Sequence, residues 1–292
     1  MTTSPIMQEA IASELLATVA AGHDRTPDEP GGSTATTVAG GPLRRRWSAP
    51  RALRRALGPL LLLGAWWLAS ATGHLSPQTL ASPVTVVKAG WHMVQDGILQ
   101  EALWVSLKRV LQGLFWGILV GVTLAVVAGL FRWGEDLIDS NVQLLRTIPI
   151  IGLVPLFIIW FGIDEKPKIV MIAVAVTFPV YINTFAAIRS VDDRLVEAGT
   201  TVGLGRIGIV RHVLLPGALP GFLTGLRFAL VVSWLVLVFS ESINAQRGLG
   251  FLLNNARTFN QTDRIVVVLV VYGLIGIAGD GVVRLLERRF LS

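Results

Sequence analysis

Polar side chains within long apolar runs are the residues of this chain whose types could do chemistry. They fall in two such runs, and they are Thr177, Tyr181, Asn183, Ser233, Ser240 and Glu241. A hydroxyl, amide or carboxyl group in a membrane-length apolar segment either faces a water-filled path or bonds to another helix, because an unpaired polar group is costly in lipid. The sequence leaves both interpretations open: these residues line a candidate translocation path, or they join helices by hydrogen bonds.

Other chemistries need residue groups that the sequence lacks. No Gly-Lys dipeptide occurs, which excludes the phosphate-binding loop Gly-x-x-x-x-Gly-Lys-Ser/Thr. There is no Cys, and the four His residues have no metal-ligand spacing. No nucleophile is placed beside a recognisable base. We therefore predict that the chain is not an enzyme and binds no cofactor of its own.

The composition predicts an integral membrane protein. Of the 292 residues, 52% are hydrophobic and only 15% are charged, whereas about 25% charged residues is usual in a soluble protein. Long apolar runs between short polar stretches predict an all-α membrane fold. The formal net charge is +6, but the Arg residues cluster at the ends of apolar segments, where they orient a chain in the bilayer. We predict a lipid environment and no nucleic-acid partner.

We predict six transmembrane helices within residues 51–292. Their approximate bounds are 56–72, 109–131, 141–162, 168–188, 219–241 and 265–283. Residues 1–50 form a polar tail, predicted to be disordered and cytoplasmic. A cleaved signal peptide is the competing interpretation of the first apolar run, but the charged region before that run is too long. Arg residues favour the flanks on the side of the tail, which predicts that both termini are cytoplasmic.

Two spans carry signs of special helix packing. In the second span, small residues recur every four positions: Gly113, Gly117, Gly121, Ala125 and Gly129. Such a strip allows another helix to approach closely. The third span contains Pro149 and Pro155, which remove backbone donors and predict a broken helix.

The longest polar interruption of the apolar region, residues 192–216, is predicted to be the main functional element. Its pattern indicates two short amphipathic helices that meet at Gly203, since glycine adopts a positive φ without steric cost. Pro216 is expected to end the second helix and start the fifth span. An apolar face with Leu195, Val202 and Ile207 would lie exposed, which predicts a protein partner.

This loop resembles the EAA signature of ABC-importer permeases, which reads Glu-Ala-Ala, three residues, Gly, nine residues, Ile, one residue and Leu-Pro. The matching residues are Glu197, Ala198, Gly199, Gly203, Val213, Leu215 and Pro216. Every spacing agrees, although Gly199 replaces the second Ala and Val213 replaces Ile. The resemblance implies that these residues form the loop that couples the permease to its ATPase subunits.

From about residue 75 to the C-terminus, the chain resembles one subfamily of these permeases. The matching stretches are 80–83, 146–149, 155–162, 225–227, 248–250 and 286–289. That subfamily imports sulfonates such as taurine and alkanesulfonates, nitrate or bicarbonate, and some pyrimidine-type vitamin precursors. The resemblance implies a type I ABC-importer permease fold in a bacterial plasma membrane, with an aliphatic sulfonate, taurine or a similar anion as the first candidate solute.

The resemblance also implies partners. Two ATPase subunits would bind the ATP, a second permease copy or a near relative would complete the path, and an extracytoplasmic binding protein would deliver the solute. An ion-coupled secondary carrier is the alternative of a different class. Such a carrier needs an ionisable site at the middle of the membrane, and the sequence shows no clear one.

Overall fold

Helices provide the regular secondary structure of the protein wherever the structure describes it, and no strand occurs there. The structure is a computed structural model, and it describes residues 51–76 and 78–290. The predicted tail, residues 1–50, lies outside these residues. From Arg55 onward, the contacts of the chain form one compact unit.

The helices differ widely in length. In chain order they are α1 (Arg51–Ala71), α2 (Pro83–Gln95), α3 (Ile98–Leu130), α4 (Glu135–Leu145), α5 (Ile150–Phe161), α6 (Glu165–Arg189), α7 (Asp193–Thr201), α8 (Arg206–Ile209), α9 (Leu215–Asn244), α10 (Leu249–Thr258) and α11 (Thr262–Phe290). A three-residue helix, Arg132–Gly134, precedes α4. Irregular helical turns open α4 and α5 and join α8 to α9: the π-helical Glu135–Asp139, the 3₁₀ Ile150–Leu153 and the π-helical Val210–Leu214.

The long apolar helices agree with a membrane-spanning protein. Within the described part of the chain, four helices are long and apolar enough to cross a bilayer, namely α3, α6, α9 with its lead-in, and α11. The bent pair of α4 and α5 makes a fifth if it counts as one span, and the apolar part of α1, Leu57–Ala71, is shorter. The all-helical prediction is thus confirmed over the described residues. Length and composition support four to five spanning helices among the described residues, and the count of six stays a prediction.

Helix α6 lies at the centre of the bundle, and glycines allow two neighbours to approach it. A Cβ added to Gly117 of α3 would lie 2.6 Å from the Ala173 carbonyl oxygen. On the other side, a Cβ added to Gly225 of α9 would lie 2.8 Å from the Pro179 carbonyl oxygen. Real Cβ atoms do not approach so closely, so only glycine permits these contacts. The predicted small-residue strip is therefore confirmed as a packing surface.

Three apolar clusters hold the described part of the bundle together, and the smallest joins α3, α4 and α6. The main core joins α3, α5, α6 and α9 through buried residues that include Val110, Leu114, Phe157, Met171, Ile172, Val176, Val180 and Leu237. The second cluster joins α2, α3, α10 and α11 through Val86, Met93, Ala102, Leu249, Val267 and Val268. Shape-matched packing of this kind holds helices together in a membrane, where lipid is as apolar as the side chains.

The third predicted span is broken, as its prolines indicate. Helices α4 and α5 meet at 83°. Pro149 has an extended backbone, with φ −68° and ψ 108°, at the start of α5. Pro155 lies in the first turn of the α-helix Val154–Phe161, where a missing amide hydrogen costs nothing. One of the two prolines therefore marks the break, and the other begins a helix.

The prediction that Pro216 ends a helix is wrong. A continuous helical run extends from Arg206 to Ile243, so the second short helix of the loop leads directly into α9. The π-helical turn Val210–Leu214 lies immediately before Pro216. Such a turn takes up an extra residue, and Pro216 then falls in a first turn, where its missing donor is tolerated.

Candidate functional site

Helix α7 begins and ends with local hydrogen bonds that its sequence supplies. We call the end of the bundle that carries residues 192–205 the loop end, and the other the far end. At the N-cap of α7, the Asp192 carboxylate accepts a bond from the Arg194 amide at 2.9 Å. At the other terminus the amides of Leu204 and Gly203 donate to the carbonyls of Gly199 and Thr200, each at 3.0 Å. This pair of bonds is a Schellman motif.

The Schellman motif needs a left-handed residue, and Gly203 provides it with φ +89°. The predicted turn at Gly203 is therefore confirmed. Around this turn the apolar side chains point into solvent: Val202 and Ile207 are each 84% exposed, and Leu195 is 57% exposed. An apolar surface of this kind on a polar loop is typical of a protein contact.

The seven signature residues occupy distinct positions around this turn. Glu197 and Ala198 are exposed on α7, and Leu215 and Pro216 are exposed at the start of α9. Gly199 is buried, and a Cβ added there would lie 3.5 Å from Val213 Cγ2 and from Leu204 Cδ1. These short distances show that α7 packs across the π-helical turn Val210–Leu214, and Gly199 lies where the two elements contact each other.

An apolar groove of about 760 Å³ lies beside this loop. Its walls come from the end of α3 and from the lead-in to α9, and they include Phe131, Trp133, Ile207 and Val210. Trp133 is 81% exposed. The exposed apolar surface is therefore broader than the loop itself and includes a stretch that the sequence did not single out.

The three polar candidates of α6 are bonded within the chain. The Thr177 hydroxyl donates to the Ala173 carbonyl of its own helix at 2.8 Å and is 3.3 Å from the Gly117 carbonyl of α3. The Asn183 amide donates to the Pro179 carbonyl at 2.8 Å. The Tyr181 ring is fully buried, and its hydroxyl donates to Asp139 at 3.1 Å.

The two serines of α9 are also satisfied locally. Ser233 donates to the Leu230 carbonyl at 2.7 Å, and Ser240 donates to the Leu237 carbonyl at 3.0 Å. Both serines are buried in the chain. These serine bonds, like that of Asn183, lie within one helix and do not join helices. Of the six candidates, Thr177, Tyr181 and Glu241 have partners on another helix, which agrees with the second interpretation for those three. That the six residues line a path stays a prediction.

Glu241 is the most elaborately bonded of the six candidates. Its side chain is only 1% exposed. The Ser106 hydroxyl donates to its two oxygens at 2.7 and 2.9 Å, and Arg109 Nη1 donates at 2.6 Å. The Gly250 amide donates a further bond at 2.7 Å.

Glycines of the segment after α9 make room for this carboxylate. Gly248 has φ +118°, and a Cβ added there would lie 2.5 Å from Glu241 Oε1. A Cβ on Gly250 would lie 2.6 Å from Glu241 Cβ and 2.9 Å from the Val238 carbonyl oxygen. The Gly248-Leu249-Gly250 stretch is therefore a backbone cradle for a buried carboxylate.

Arg109 joins several elements at the far end, and sequence reasoning missed it. Its side chain lies 2.5 Å from Glu165 and 2.6 Å from Glu241, and it also donates to the Arg247 carbonyl at 2.7 Å. Arg109 is 3% exposed.

At the loop end, Arg227 bonds to the last helix. It lies 3.2 Å from Asp280 and 2.9 Å from Glu287 of α11. Asp280 also pairs with Arg284 at 2.7 Å, four residues along the same helix. These side chains are partly exposed, so each pair contributes little stability and mainly fixes how α9 meets α11.

The fold and the site define a class: a membrane protein with a bundle of long apolar helices and an exposed loop of short helices that carries an apolar face. Comparison with known families agrees. The protein-family model described as "Binding-protein-dependent transport system inner membrane component" matches residues 117–292. The chain belongs to this family.

Two curated relatives extend the match towards the N-terminus. One, named "Putative aliphatic sulfonates transport permease protein SsuC", from Escherichia coli (strain K12), is 45% identical over 233 residues, which is 80% of this chain and 89% of the relative. The taurine transport system permease protein TauC of the same organism is 35% identical over 253 residues, covering 85% and 92%. Both alignments are longer than the family match, so each includes part of the chain before residue 117.

A solved structure shares the fold. Inward-facing conformations of the MetNI methionine ABC transporter contain a chain that matches with a TM-score of 0.55 at 25% identity, covering 65% of this chain and 96% of that one. The family match, the relatives and this structure all agree with the resemblance that the loop motif indicated.

Proposed function

We propose that the chain is the membrane subunit of an ATP-driven importer for an aliphatic sulfonate, taurine or a similar small anion. The observation that carries this proposal is the 45% identity, over 80% of the chain, to a protein named as a sulfonate permease. A second named relative, for taurine, supports the same solute class. The membrane is the plasma membrane of a bacterium, where permeases of this family act as inner membrane components.

The assembly contains two ATPase subunits, two permease copies and an extracytoplasmic binding protein. The ATPases bind the ATP, and the permease itself needs no cofactor. The exposed apolar surface around Val202 and Ile207 supports an ATPase contact at the loop, because such a surface is unfavourable in free solution. We infer that the second permease copy is identical to the first, and that the path runs between them.

The orientation has the loop and both termini inside, with six spans. Arg asymmetry along the chain supports it. The sixth span is the short apolar part of α1, which can cross a bilayer if its flanking residues reach into the interface or the bilayer thins locally.

Transport follows from a rigid connection between the loop and the membrane. The lead-in from Arg206 and helix α9 form one continuous helical run, so a displacement of the loop moves α9 without a flexible joint. Closure of the ATPase pair would draw the loops together and turn the permease from inward-open to outward-open. The binding protein would then release its solute into the path.

Two measurements test the proposed function. Calorimetry on the partner binding protein should show tight binding of ethanesulfonate or taurine, and weak or no binding of cations, sugars and nitrate. Uptake of ethanesulfonate into proteoliposomes should require the permease, the ATPase and the binding protein together. Preference for nitrate would overturn the solute class, and uptake without the binding protein would overturn the importer mechanism.

A further inference from the structure

A buried carboxylate holds the start of helix α10 at the far end of the bundle. Gly248, at the N-cap of α10, offers no side-chain acceptor, so the first amides of the helix need partners from elsewhere. The Gly250 amide donates to Glu241 Oε2 at 2.7 Å, and the Leu249 amide donates to Ser106 Oγ at 2.9 Å. The negative charge of Glu241 also suits the positive end of the helix dipole.

We propose that Glu241, Ser106 and Arg109 are positioning residues for transport. They hold α10 in the pose that completes the surface on which the binding protein delivers its solute. This inference rests on the proposed function, which places the far end of the bundle outside the cell.

Arg109 allows a carboxylate to be buried at this position. An unpaired buried charge is very costly, so a buried Glu persists only with a charged or strongly donating partner. The Arg109 guanidinium lies between Glu241 and Glu165, and Lys168, 3.7 Å from Glu165, adds a second positive charge. Arg109 also donates to the Arg247 carbonyl at 2.7 Å. The same side chain therefore fixes the carboxylate and the segment that leads from α9 into α10.

Helix α10 depends on this anchor because it is short. A ten-residue helix is marginal by itself. Two of its three buried residues, Leu249 and Gly250, lie at its start beside the carboxylate, and Ala256 is the third. A change at the start would therefore shift the whole helix.

The exposed side of α10 is polar. Asn254, Arg257 and Thr258 are exposed there. A binding protein that approaches the far end contacts these side chains. Their positions depend on where the start of α10 is held. The anchor thus acts through α10, and its residues need not touch the solute.

The test uses the complete transporter in proteoliposomes, with ethanesulfonate as the probe. We expect Glu241→Gln and Ser106→Ala to raise the KM for loaded binding protein roughly tenfold, the scale of one lost bond to a charged group. The maximal rate should stay within about twofold if the coupling machinery is untouched. In a second readout, a Cys placed at Asn254 should change its maleimide labelling rate in the Ser106→Ala background.

An exposed ion pair between α3 and the segment that leads into α10 gives a matched control. Glu101 of α3 lies 3.2 Å from Arg247, and the two side chains are 60% and 73% exposed. Exposed pairs contribute little, so Glu101→Gln should leave the KM at the wild-type value. If the Glu241→Gln transporter does not assemble, the KM of Ser106→Ala, which removes only one hydroxyl, tests the inference.

Three outcomes would overturn the inference: an unchanged KM in both variants, a fall of the maximal rate alone, or an equal effect of Glu101→Gln. Failure of the proposed function is visible separately, because the wild-type transporter would then take up ethanesulfonate without the binding protein or not at all.

Discussion

At the scale of single residues, backbone conformation decides the shape of the 192–216 loop. Gly203 has φ +89° and ends α7, whereas Gly205, two residues later, has an extended backbone with φ −69° and ψ 172°. A side chain at Gly203 is strained whatever space surrounds it, but a side chain at Gly205 is not. The two glycines therefore separate the effect of backbone strain from the effect of added bulk.

Gly203→Val should weaken the contact with the ATPase. A β-branched residue at positive φ costs about 1–2 kcal/mol or more, so the turn is expected to open and move the exposed face of Val202 and Ile207. We expect normal membrane insertion, with reduced co-purification of the ATPase or ATP hydrolysis that no longer responds to solute in nanodiscs. Gly205→Val is the control, since a Cβ there meets no atom within 4 Å. Full uptake in Gly203→Val would mean that the loop is only a connector.

Gly199→Ala should make the loop more rigid. The residue is buried inside α7, and a Cβ there would make ordinary contacts of 3.5 Å with Leu204 and Val213. Alanine favours a helix over glycine by about 1 kcal/mol, which slows local opening roughly fivefold. Hydrogen exchange of the α7 amides measures this. At Gly208 the added Cβ would lie 3.2 Å from Leu204, so Gly208→Ala should gain less. Faster exchange in Gly199→Ala would contradict the packing described for this position.

At the scale of elements, close approach between α3 and α6 holds the bundle together. The two helices meet along a strip in which a Cβ on Gly117 or Gly121 would lie within 3 Å of backbone oxygens of α6. Backbone atoms cannot move aside as a flexible side chain does, so this interface tolerates only the smallest residue.

Gly117→Leu should therefore separate the two helices and reduce the amount of folded protein. We expect a stability loss of at least 1–3 kcal/mol, the usual cost of overpacking, seen as a lower thermal midpoint and a lower yield in detergent. Gly273 of α11 offers the matched control, because a Cβ there meets nothing within 4 Å. If Gly117→Leu and Gly273→Leu both behave as the wild type, the strip does not hold α3 against α6.

Local sequence patterns predicted the helices, breaks and turns, but they did not predict contacts between residues that are distant in the sequence. The glycine strip, the break near Pro149 and the turn at Gly203 follow from backbone rules that act over a few residues. The Arg109–Glu241 pair joins residues 132 positions apart, and no spacing rule relates them. The continuous helix through Pro216 was missed because a π-helical turn compensates for the proline, and such a turn has no sequence signal here.

The candidate site was predictable to a similar degree. Sequence reasoning placed the loop residues, and it recognised that Leu195, Val202 and Ile207 would be exposed. It found Glu241 as a polar membrane residue but not its burial, because burial depends on Ser106, Arg109 and the glycines that pack around it. The sequence also did not predict that Trp133 is part of the apolar surface at the loop end. That position depends on distant residues, because Trp133 lines the groove together with the lead-in to α9.

At the scale of the whole molecule, the two ends of the bundle differ in chemistry. The loop end presents exposed apolar side chains beside Arg206 and a groove of about 760 Å³. The far end has a buried charge cluster of Arg109, Glu165 and Glu241, and its surface mixes exposed polar side chains such as Asn254 with exposed apolar ones such as Phe259. The difference between the two ends therefore lies in the buried charges of one and the apolar groove of the other.

Cysteine labelling in sealed cells should show that the loop end is inside. The chain has no Cys, so each introduced thiol reports one position without background. Thr200 and Asn254 are both exposed, at the loop end and the far end respectively. The Arg asymmetry predicts that a membrane-impermeant maleimide labels Asn254→Cys in intact cells and labels Thr200→Cys only after permeabilisation. Both variants should label fully in detergent, which controls for burial in the assembled complex. Labelling of Thr200→Cys from outside would reverse the orientation, and the ATPase contact at the loop would then be impossible, because ATP and its hydrolysing subunits are cytoplasmic.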